Sequence, residues 1–258
     1  MKKVEHTAGE PWDDRAKAYR RSGDMVAAIA RRHSGVDVDD LTKERWRELM
    51  GLMREVDTWA DDTDASRQEV LEGLVDFGMF QERYPHLAPG QLTIEAHLSM
   101  LRRTDHILRV GELASRELSV RRFMAFRITE AAETVNMFED TATPHVVEQP
   151  HFKEDFMPTL RALGEAATLW DSLIDARQDL RDGKQVIQPN AEFYTRISGA
   201  MLRRVKLGGA AMLHFEPNMH IGIKVGERVV NRVKNGVTGY STLNRFLPGR
   251  WYDKENET

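Results

Sequence analysis

Apolar residues recur at helical spacing along nearly the whole chain, and the strict alternation that marks a half-buried strand is scarce. That periodicity leaves helices packed on helices as the way to bury a core. The expectation is an all-α fold, a single-domain antiparallel bundle around a central cavity. Helix signals and breaks predict helices over about residues 13–33, 41–62, a third ending near 83, then 92–117, 119–139, 154–181 and 192–213. A last one opens at Pro217 and ends near Asn235-Gly236. Gly35 marks the end of the first helix, and Asp39 or Asp40 caps the second. Pro158 falls in the first turn of the long 154–181 helix or kinks it, and Asp182-Gly183 closes it. Residues 1–240 read as one domain and 241–258 as a C-terminal tail.

Composition narrows the function classes. Charged residues make up 30% of the 258, with signs interleaved and a net charge of -4. Without a basic stripe, nucleic-acid binding is not expected. The absence of cysteine excludes disulfides, thiolate metal sites and a cysteine nucleophile, and it suits a reducing, cytoplasmic setting. Met1-Lys2-Lys3-Val4-Glu5-His6 has no apolar run behind it, so no signal peptide is expected. Nor does any stretch approach the roughly 20 apolar residues of a membrane span. Peripheral contact with a membrane stays open.

Two acidic clusters stand out. The first is Asp57-Thr58-Trp59-Ala60-Asp61-Asp62-Thr63-Asp64; the second runs from Asp171 through Asp175 to Asp179. Residues four apart on a helix lie about 40° from each other around the axis and about 6 Å along it. Asp57 and Asp61 therefore share a face, as do Asp171, Asp175 and Asp179. In the second helix Trp46, Met50 and Met53 point almost the same way as these acids, so the apolar side runs into carboxylate. In the long helix Leu160, Leu163, Ala167, Trp170 and Ile174 form an apolar arc, extended by Ala162, Ala166, Leu169, Leu173 and Leu180. A narrow sector remains for Gly164, Thr168 and the three aspartates, which reads as the wall of a pocket. Carboxylates so closely spaced repel unless cations sit between them. Magnesium takes oxygen ligands, often one or two carboxylates plus substrate phosphate. Two facing carboxylate helices would make a cradle for a metal-bound diphosphate, with Met50 and Met53 below it against a hydrocarbon chain.

At these residues the chain resembles the class I isoprenoid (terpenoid) synthase superfamily, nearest the squalene/phytoene synthase and tetraprenyl-β-curcumene synthase-like branches. Val56-Asp57-Thr58-Trp59-Ala60-Asp61 is similar to a first DxxxD motif. Asp171-Ser172-Leu173-Ile174-Asp175-Ala176-Arg177-Gln178-Asp179 is similar to a second, and Asp182-Gly183-Lys184 to the Gly-Lys that follows it in chain-elongating prenyl synthases. Ser172 departs from the aspartate those synthases carry at that position. The resemblance implies a magnesium-dependent enzyme that ionises a prenyl diphosphate and then condenses or cyclises it. Asp57, Asp61, Asp171, Asp175 and Asp179 would ligate Mg2+, and Lys184 or Arg177 would contact the diphosphate. A homodimer is in keeping with it.

Other groups read more plainly. No His-Glu-x-x-His is present, and the one Glu-x-x-His, Glu148 to His151, lies in a proline-bracketed loop, so zinc-protease and di-iron readings fail. His97 and His106 read as surface or capping residues. Arg127, Glu130, Glu133 and Thr134 share one helix face and read as a solvated salt-bridge ladder in preference to an internal polar network. The competing reading of the whole chain is a non-catalytic helical protein-interaction domain whose acidic clusters are surface charge.

Overall fold

The computed structural model describes residues 14–61 and 81–212, together with Gln68 and Glu72, and carries no strand among them. The helices are α1 (Asp14–Ser34), α2 (Asp40–Asp61), α3 (Ile94–Ser115), α4 (Val120–Thr141), the single turn α5 (Pro144–Val147), α6 (Met157–Arg181) and α7 (Ala191–Met212). A π-helical turn, Phe152–Phe156, leads into α6. The expected helix ending near residue 83, the one opening at Pro217 and the tail 241–258 lie wholly or largely outside the described residues.

The ends of the helices follow local chemistry. α1 stops where Gly35 takes φ 68°, and the Val36 amide turns back to the Ala30 carbonyl at 2.9 Å. A residue with a side chain resists that left-handed conformation, so glycine ends the helix there. Asp39 is the cap of α2: its carboxylate accepts from the Thr42 amide at 2.7 Å and from the Thr143 hydroxyl. Burial alone would push the Asp39 carboxyl up, yet the bonds from Thr143 and Thr42 outweigh it and hold it below the usual carboxylate range. Pro158 sits in the first turn of α6, where its missing N–H costs nothing. Gly183, at φ 73°, terminates α6.

α1 and α2 form one hairpin, α3 and α4 another, and α6 packs on both α4 and α7. The larger core gathers around Trp46, which is fully buried, stacked on Phe156 at 5.6 Å and edge-on to Phe138 at 5.7 Å. Its indole N–H donates to the Phe138 carbonyl at 2.9 Å, so the ring is tied to α4 as well as packed on it. A second core, built on Leu169, Phe193 and Ile197 with Phe123, joins α6 and α7 to the start of α4.

Polar residues stitch the hairpins. Glu48 of α2 is buried, and its carboxylate accepts from the His86 and Leu87 amides at 2.9 and 3.2 Å while contacting His86 Nδ1 at 2.6 Å. Buried Arg45 donates to the Thr141 and Gln91 carbonyls. Together they fasten the 84–92 loop to α2. Between α3 and α4, Arg103 bonds both Glu133 and Asp140, at 2.6 and 2.5 Å.

The α1–α2 crossing depends on one small residue. A Cβ at Gly23 would lie 2.7 Å from the Arg47 amide nitrogen and Cα and from the Trp46 carbonyl oxygen. These are backbone atoms, which cannot swing aside. Gly23→Ala is therefore expected to destabilise the protein by about 1–3 kcal/mol, the usual cost of overpacking, despite alanine's better helix propensity. Equilibrium urea denaturation checks this; a stabilised variant would show that the two helices do not meet at Gly23.

Candidate acidic site on the central helix

α4 is the element against which the two acidic clusters converge. It packs between α2 and α6, and its partly buried Arg127 is the pivot. Arg127 Nη1 donates to Glu130 at 2.8 Å, and Nε donates to the Ser172 hydroxyl at 3.2 Å across the α4–α6 interface. Ser172 is itself buried and donates to the Thr168 carbonyl at 2.9 Å. The guanidinium is held in its charged form first by Glu130, then, against desolvation, by Asp171, Asp179 and Asp57. Glu130 tells the other half. Burial pushes its carboxyl up, Arg127 draws it down, and Asp57 and Asp171 push it up again, leaving it raised. An acid cluster from α2 and another from α6, 114 positions apart at Asp57 and Asp171, thus act on the same pair of side chains.

The remaining expected residues are placed as follows. Asp57 is exposed on the last turn of α2 and pairs with Arg54 at 3.0 Å. Asp61 ends that helix, and its side chain, like Asp62 and Asp64, lies outside the described residues. Asp171 is exposed, whereas Asp175 and Asp179 are half-buried. Met53 is buried in the larger core and Met50 packs against it. Gly164 meets Val135 of α4: a Cβ there would come within 2.9 Å of a valine methyl. Arg177 is turned toward α7, where it hydrogen-bonds Tyr194. Lys184 is exposed just past the Gly183 turn, its amide on the Asp179 carbonyl at 2.8 Å.

Two sequence expectations change. The face of α6 that enters the core is Leu160, Ala162, Ala166, Leu169, Ser172, Leu173 and Ala176; Ala167 and Ile174, read as part of the apolar arc, are exposed. The set Arg127, Glu130, Glu133 and Thr134 is not a solvated ladder. Arg127 reaches α6, Glu133 bonds Arg103 and His106 of α3, and Thr134 donates back to the Glu130 carbonyl. Arg127 and Glu130 were missed as site residues because one helix face says nothing about its neighbours. The structure finds them through Ser172, a short polar residue that α6 turns into the core.

Among the described residues no group of three or more His, Asp or Glu side chains stands close enough to hold a metal ion. The donors nevertheless have the right chemistry for magnesium, which commonly takes only one or two protein carboxylates and completes its shell with water and phosphate oxygens. Burial first, and then Asp57 and Asp171, raise the Glu130 carboxyl, and a nearby cation would act in the opposite direction. A hollow of about 320 Å³ near Leu118, Val186, Asn190 and Glu192 is lined by none of these acids. No family model matches the chain, and no curated protein or solved structure matches it either.

Proposed function

We propose that this chain is a magnesium-dependent isoprenoid synthase that ionises a prenyl diphosphate and then condenses or cyclises the resulting allylic cation. The observation that carries the reading is the shared electrostatic neighbourhood of Asp57, Asp171, Asp179 and Glu130 around Arg127. Carboxylates of α2 and α6 act on one partly buried arginine of α4, a place where further positive charge would be favourable. A divalent cation held by these carboxylates would supply it. When bound, magnesium would act as a Lewis acid that neutralises the departing pyrophosphate.

The chain's own residues then divide the work. Asp57, Asp61, Asp171, Asp175 and Asp179 would hold the cations directly or through water. Arg127 fixes the spacing of the carboxylates when no ligand is present, and Ser172 aims its guanidinium. Lys184, exposed just past the Gly183 turn, would contact the diphosphate. Arg177, already engaged with Tyr194, braces α6 against α7. The central cavity belongs to this proposal as the place where the hydrocarbon is kept from water.

The exposure of Asp57 and Asp171 favours the second reading, an interaction domain whose acids face a basic partner. One experiment separates the two. The full chain is incubated with geranyl, farnesyl and geranylgeranyl diphosphate in magnesium buffer, and released pyrophosphate is measured. Magnesium-dependent release, abolished by EDTA, supports the synthase. No release above the uncatalysed rate with any of the three defeats it.

A further inference from the structure

Among the described helices α3 packs closely only on α4, so its outer face has no helix against it. The residues of that face are placed symmetrically. About a point between Asp105 and His106, Arg102 mirrors Arg109, Leu98 mirrors Leu113 and Glu95 mirrors Arg116. At 100° per residue these four pairs fall within about 100° of one another, on one stripe along the helix. All are exposed except Asp105, which is half-buried.

The charges of the stripe balance. With Glu112 at its edge it holds three carboxylates and three guanidinium groups. Glu95, Arg102 and Arg109 make no ion pair or side-chain hydrogen bond among the described residues. Arg116 pairs with Glu112 at 2.9 Å, an exposed contact worth little. His106 contacts Glu133 of α4 through Nδ1 at 2.9 Å.

We infer that this face docks on a second copy of the chain, α3 against α3 in antiparallel, about a twofold axis between Asp105 and His106. A twofold contact requires that residue i of one copy meet j of the other while j meets i. In an antiparallel pair of helices, mirrored positions lie at the same height. Leu98 then meets Leu113, Asp105 meets His106 and Glu95 meets Arg116, each contact made twice. Arg102 against Arg109 is the one like-charge pair, and an Asp105 from either copy stands within one turn of it. A partner of a single charge sign would be attracted and repelled by such a stripe in equal measure. An unrelated protein imposes no mirror spacing, whereas a copy of the same chain does. The inference rests on the residues of this face and not on the proposed reaction, so either can fail alone.

The test is sedimentation velocity of the full chain from about 1 to about 100 μM, the range in which a contact one helix wide dissociates. The wild type is expected to pass from monomer to dimer. Glu95→Arg and Arg116→Glu each bring like charges together at both ends of the contact. Each should raise the dissociation constant by at least about 10-fold. An equimolar mixture of the two variants has opposite charges at both ends again, so it should dimerise like the wild type; two merely frayed helices would not rescue each other. Both positions are exposed, so circular dichroism should stay that of the wild type. A wild type that is monomeric throughout, single variants that dimerise unchanged, or a mixture that stays monomeric overturns the inference.

Discussion

If the proposed reaction holds, Asp57→Asn and Asp175→Asn are each expected to lower turnover of a prenyl diphosphate by at least about 100-fold, because each would remove a charge that holds a Lewis-acidic cation worth several kcal/mol to the transition state. The amide is isosteric with the carboxylate, so shape is kept and only charge is lost. Asp57 is exposed and its partner Arg54 is on the same helix, a pairing worth little to stability. Asp175 is half-buried on α6 with Asp171 and Asp179 four residues to either side, so removing its charge lessens like-charge repulsion along the helix. Both variants should therefore keep the far-UV circular dichroism and melting temperature of the parent while losing turnover. Steady-state pyrophosphate release, measured beside the melts, checks this. Full turnover in both would remove the carboxylates from the reaction.

Trp46→Ala has the largest expected effect on stability. Trp46 is fully buried against Phe138 and Phe156, and its N–H holds the Phe138 carbonyl. Truncation leaves a cavity between α2, α4 and the π-turn and strands a buried acceptor. Such changes cost about 3–5 kcal/mol, which in a chain of this length lowers the melting temperature by on the order of 10 °C. Trp46→Phe keeps most of the packing and gives up only the hydrogen bond, so its loss should be about a third of that. Urea denaturation of the two variants checks the ratio. A loss below about 1 kcal/mol for alanine, beneath the range of any buried tryptophan, would place Trp46 outside the core.

Helix limits were legible because they are set locally: Gly35 and Gly183 by left-handed backbone, Asp39 by its bond to the Thr42 amide. The burial of Trp46 and Met53 on α2 followed from period alone. The phase of α6 did not. With apolar residues on most sides, nothing in its sequence decides between Ala162 and Ala167, and the choice is made by where α4 and α7 lie. The same reason hid the site. Arg127 and Glu130 look like an ordinary i, i+3 surface pair until Ser172 and the aspartates of two other helices are placed beside them. Buried Arg45 and Glu48 were equally silent, since each depends on a loop more than thirty residues away.

Isothermal titration of magnesium into the full chain, with and without inorganic pyrophosphate, and the same titration of Asp175→Asn, addresses the central claim most directly. If the acids around Arg127 form a diphosphate cradle, magnesium binds tightly only when pyrophosphate is present, and Asp175→Asn loses that binding. A wild-type chain that takes up neither magnesium nor pyrophosphate would contradict the cradle and leave the acidic clusters as surface charge.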